Sequence, residues 1–90
     1  MKFKSIIEVE NYYKENQKSY ELVYSLLEDS INNKITAIEE NKIEECKETL
    51  IELNFIEQKD GAFHLNLNSL GVLYLLLKYS EKIQLSRPAQ

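Results

Sequence analysis

Cysteine, histidine and proline each occur once in this 90-residue chain, and glycine only twice. A lone Cys46 excludes an internal disulfide. One thiol and one imidazole, Cys46 and His64, cannot assemble a Cys/His zinc site within one chain. Scarce glycine and proline argue for long regular elements joined by few elaborate loops. Long apolar runs are missing too. The longest, Leu70 to Leu77, is interrupted by Gly71 and falls far short of the ~20 residues of a membrane span. Glu8 and Glu10 break the N-terminal stretch too early for a signal peptide. A soluble protein of a reducing compartment, the cytoplasm, is the expectation, with no membrane partner. No phosphate loop, nucleophile elbow or paired-carboxylate cleft is present, so the chain is expected not to be an enzyme and to need no cofactor.

What is present is an ordinary globular balance, 43% apolar and 29% charged, enough for one small domain over 1–85 followed by a disordered tail over 86–90. The net charge is −4, and its distribution matters more than its sum. Met1 to Lys34 is close to neutral and Ala62 to Gln90 is slightly basic. Between Ile35 and Gly61, eight acidic residues face three lysines.

Along the chain, Ser5-Ile6-Ile7-Glu8 has the form of a capping box opening a helix from Ile6 to Glu15. Ser19 is expected to cap a second helix whose stripe is Leu22, Val23, Leu26, Leu27 and Ile31, closed by Asn32-Asn33. Thr36-Ala37-Ile38-Glu39 repeats the capping-box form and leaves room for one short helix, Thr36 to Glu40. A further helix is expected from Lys42 to Leu53, because Ile43, Cys46, Leu50 and Leu53 recur at core spacing. Asn54 suits its C-terminal end. Asp60-Gly61 signals a hairpin with a two-residue turn. That turn sets Lys59 opposite Ala62, Gln58 opposite Phe63, Glu57 opposite His64 and Ile56 opposite Leu65. Ile56, Phe63 and Leu65 then share the buried face. Asn68 or Ser69 caps a last helix from Leu70 to Ile83, apolar on nearly every side of its first half. The fold class predicted is mainly α with one β-hairpin, that is α+β.

Leu50-Ile51-Glu52-Leu53-Asn54-Phe55-Ile56-Glu57, then Phe63-His64-Leu65-Asn66 and Gly71, resemble the winged-helix fold from about Ile35 to Leu85. The resemblance implies five helical segments and a two-stranded wing. Asn54 stands where the family usually has a turn glycine, Gly71 lies later than usual, and the helix-turn-helix is truncated to Thr36–Glu40. The resemblance also implies that Lys42 to Leu53 corresponds to the recognition helix and Lys59-Asp60-Gly61 to the wing tip, elements that usually touch DNA. In that reading Lys42, Lys47 and Lys59 would meet the phosphates, and the protein would be a dimeric DNA-binding regulator.

Charge opposes that reading. The exposed side of the Lys42–Leu53 segment carries Glu44, Glu45, Glu48 and Glu52, with Glu44, Glu48 and Glu52 spaced as a ridge. Duplex affinity rests largely on neutralising phosphates, so added like charge repels. The expectation is therefore a protein-binding module that uses this acidic face, or the last helix as a dimer helix through Val72, Leu75, Leu76 and Tyr79. The bland alternative for the carboxylates is a solvated face that keeps the chain soluble. Three glutamates on one helix lack the backbone oxygens of a calcium loop, and no metal is expected. His64, set against Glu57, is expected to be structural rather than a general base. Cys46 is expected to be an inert core residue. Tyr20 and Tyr24, one turn apart, are an interface pair or core packing.

Overall fold

The computed structural model describes residues 3–34 and 37–86. Helix α1 runs Ile6–Glu15, as its capping box predicts, and the Ser5 hydroxyl accepts from the Glu8 N–H at 3.3 Å. The reciprocal bond goes one residue further back, from the Lys4 N–H to Glu8 Oε2. Helix α2 runs Gln17–Asn33, so Ser19 lies inside it rather than at its cap. Asn16 explains the early start. It closes α1 and opens α2, and its side-chain amide donates to the Tyr12 carbonyl at 2.9 Å, serving α1's last turn. The left-handed residue that ends α2 is Lys34, at φ 54°, and not one of the two asparagines before it.

Four α-helices and three strands make up the described fold, a mainly helical α+β architecture; the five helical segments and two-stranded wing need correction. Instead of the short helix expected over Thr36–Glu40, Ala37–Ile38 forms strand β1, followed by a 3-10 turn, Glu40–Lys42. Thr36, its expected cap, lies outside the described residues, as does the expected tail beyond Ser86. Helix α3 is only Lys47–Glu52, about half of the Lys42–Leu53 span expected. Ile43 and Cys46 instead donate to the carbonyls three residues back, Glu40 and Ile43, both at 3.1 Å. These are tight turns, not α-helix. Tertiary pairing decides this. Once Ala37 and Ile38 belong to the sheet, the chain must cross from the sheet edge to α3 in a few residues. Ile43 and Leu50 are both still fully buried.

The end of α3 follows the expectation. Asn54 adopts φ 64°. The Phe55 N–H donates to the Leu50 carbonyl at 2.9 Å, and the Asn54 N–H donates to Ile51 at 3.0 Å. This is a Schellman closure, with its apolar contact supplied by Leu50 and Phe55. Strands β2 (Ile56–Lys59) and β3 (Ala62–Leu65) pair in the register expected, all four partners included. Asp60 and Gly61 both take positive φ, 52° and 78°, as a type I′ turn requires. The third strand is the addition. Ala37 lies opposite His64 and Ile38 opposite Phe63, so β3 is central and the order is β1-β3-β2.

Helix α4 runs Leu70–Ser86, with the Ser69 hydroxyl accepting from the Val72 N–H at 3.4 Å. It packs on α1 and α2. One continuous core gathers Val9 and Tyr13 of α1, Val23, Leu26 and Leu27 of α2, the inward residues of the sheet, and Val72, Tyr74 and Leu75 of α4. Phe55 sits at the junction of these layers. Its ring lies 5.6–5.9 Å from those of Phe3, Tyr12 and Tyr13. The Tyr13 hydroxyl donates to the Gly71 carbonyl at 3.0 Å, joining α1 to α4 inside the core.

Candidate functional site

The acidic surface is built on the 3-10 turn, the turn after it and α3. Glu44, Glu45, Glu48 and Glu52 are all exposed. Because α3 begins only at Lys47, Glu44 precedes it, and the expected Glu44-Glu48-Glu52 helical ridge is broken into a turn pair and a helix pair. The lysines of the resemblance are nearby and each is held by a carboxylate. Lys42 Nζ lies 3.3 Å from Asp29 Oδ2 of α2. Lys47 Nζ lies 3.5 Å from Glu40 Oε2 and also sits over the Phe63 ring. At the wing, Lys59 Nζ lies 3.1 Å from Glu57 Oε1. Exposed pairs of this kind add about 0–1 kcal/mol to stability. Their larger effect is on the local field, since each cancels a positive charge where a phosphate would have to sit. Glu44, Glu45 and Glu48 have no ion-pair partner among the described residues, so this segment presents net negative charge.

Beside Glu44 and Glu45 an open cleft of about 450 Å³ separates this turn from the start of α2, with Lys18, Leu22 and Cys46 on its walls. Cys46 lies at the margin of the core, half-buried, not within it. Burial, and then the Glu45 charge beside it, push the thiol above its ordinary range. A raised pKa lowers the thiolate fraction at neutral pH, and the thiolate is the nucleophile. Alkylation by iodoacetamide at pH 7.5 is therefore expected to run slower in the folded chain than in urea, and an equal or faster rate in the folded chain would refute this.

A second surface is apolar. A groove of about 220 Å³ lies between α2, β3 and α4, lined by Leu27, Ile31, Leu65, Leu67 and Leu76 together with Ser30 and His64. Sequence periodicity places Ile31 in the inward stripe of α2, yet it is 40% exposed because α2's last turn runs past the core. Leu67 is the other residue the pattern misses. Its one signal is an apolar side chain between Asn66 and Asn68 in an otherwise polar connection. His64 faces Glu57 on β2 and Ala37 on β1; Ser30 reaches the same groove only through the tertiary fold.

The expected dimer face of α4 is corrected by the packing. Val72 and Leu75 are fully buried in the chain's own core, and Leu76 and Tyr79 are half-buried against it. Two amphipathic helices, α1 and α2, cover that side. The outward apolar residues of α4 are Leu73 and Leu77, 37% and 57% exposed, and further along Ile83 and Leu85. Tyr20 and Tyr24 stack at 5.8 Å and are half-buried. They are continuous with Tyr13 and Tyr79 rather than an isolated exposed pair.

Among the described residues, no three His, Cys, Asp or Glu side chains converge as a metal site, and no helix is long and apolar enough to cross a membrane. The chain matches no protein-family model, no curated protein and no solved structure.

Proposed function

We propose that this chain is a non-catalytic, winged-helix-like binding module whose acidic segment engages a basic protein partner, in the manner of a regulator, adaptor or inhibitor. The winged-helix part rests on the order of elements from α2 to β3 and on the β1-β3-β2 sheet. It also rests on the tight turn at Asn54 and the Asp60-Gly61 wing tip. The partner class rests on one observation. In the segment that would face a ligand, the lysines are neutralised in ion pairs, while Glu44, Glu45 and Glu48 have no ion-pair partner among the described residues. A surface of that sign attracts cationic partners and repels polyanions.

The test uses an oligolysine peptide and a random-sequence DNA duplex as probes. At low salt the peptide is expected to shift the amide resonances of the Glu44–Glu48 stretch. Glu44→Gln, Glu45→Gln and Glu48→Gln together are expected to abolish that response, and the duplex is expected to cause none. Duplex binding that weakens steeply with salt would replace this proposal by the DNA-binding one, with Lys42, Lys47 and Lys59 as contacts. No response to the peptide would also sink it.

Self-association belongs to the same reading. Along α4, Leu73, Leu77, Ser80 and Gln84 recur at 3-4 spacing without a charge, a stripe another helix can pack against. A chain of net charge −4 brings two copies together most cheaply on an uncharged face. Sedimentation velocity is expected to show a concentration-dependent dimer that Leu77→Glu removes. A monomer at millimolar concentration would rule the dimer out.

A further inference from the structure

We draw no further inference here: the strongest candidate, the apolar groove between α2, β3 and α4 that Ile31, His64 and Leu67 line, is an unpartnered face, and nothing in the structure shows what covers it.

Discussion

Phe55→Ala is expected to lower the unfolding free energy by about 3–5 kcal/mol, the range for deleting a buried aromatic ring. A chain of 90 residues has a total stability of about 5–13 kcal/mol on the per-residue scale of small domains. The loss is therefore a large share of the whole. The ring is fully buried and lies against Phe3, Tyr12 and Tyr13. Its removal opens a cavity whose walls are held by separate helices and cannot collapse together. The backbone role of the position survives, since the N–H to the Leu50 carbonyl does not depend on the side chain. The α3 closure should persist while the core loosens. Urea denaturation followed by far-ultraviolet circular dichroism measures the change. A loss below about 1 kcal/mol would show that this ring is not the packing centre described, since even a single lost methylene in a tight core costs on the order of that amount.

Gly71→Ala is expected to destabilise through the same contact from the other side. In an exposed helix interior, alanine gains up to about 1 kcal/mol over glycine. Here a Cβ would overlap three atoms of the Phe55 ring. Overpacking a close-fitted core costs about 1–3 kcal/mol and sometimes more, so the steric term outweighs the propensity gain. Gly71 also presents its carbonyl to the Tyr13 hydroxyl, so a shift of α4 to relieve the overlap strains that bond. A double-mutant cycle separates these effects. Phe55→Leu is expected to make Gly71→Ala much less costly, giving a coupling energy of about 1 kcal/mol or more between the two positions. Additive losses would mean that the overlap is absorbed elsewhere. A net gain in stability from Gly71→Ala alone would overturn the argument.

The elements legible in the sequence are those whose cause is local. Ser5 and Glu8 start α1 where the capping box places them, because both partners lie within one turn. Asp60-Gly61 fixes the hairpin register completely, because a two-residue turn leaves only one pairing. Asn54 ends α3 because it tolerates a left-handed backbone. The failures share the opposite property. β1 is held by His64 and Phe63, more than twenty residues away in sequence, and nothing near Ala37 announces them. The local signal there, Thr36 with Glu39, favours a helix and loses to sheet pairing. The same non-local constraint shortens α3, although the inward spacing of Ile43 and Leu50 is read correctly. Of the candidate surface, the signs of the charges are visible in the sequence. Which lysines are cancelled is not, because Asp29 meets Lys42 only once α2 lies beside the 3-10 turn. On α4, composition shows an excess of apolar residues. Only the packing of α1 and α2 tells that Val72 and Leu75 face inward and Leu73 and Leu77 outward.

All six tyrosines stand on α1, α2 and α4, and tryptophan is absent. Tyr12, Tyr13, Tyr20, Tyr24, Tyr74 and Tyr79 form one connected set of rings, neighbours 5.5–6.4 Å apart. Ultraviolet emission and near-ultraviolet dichroism therefore come almost entirely from the meeting of three helices. The strands contribute a single phenylalanine and are nearly silent at those wavelengths. This protein thus carries a built-in optical reporter of helix docking, and a sheet that melted separately would escape it.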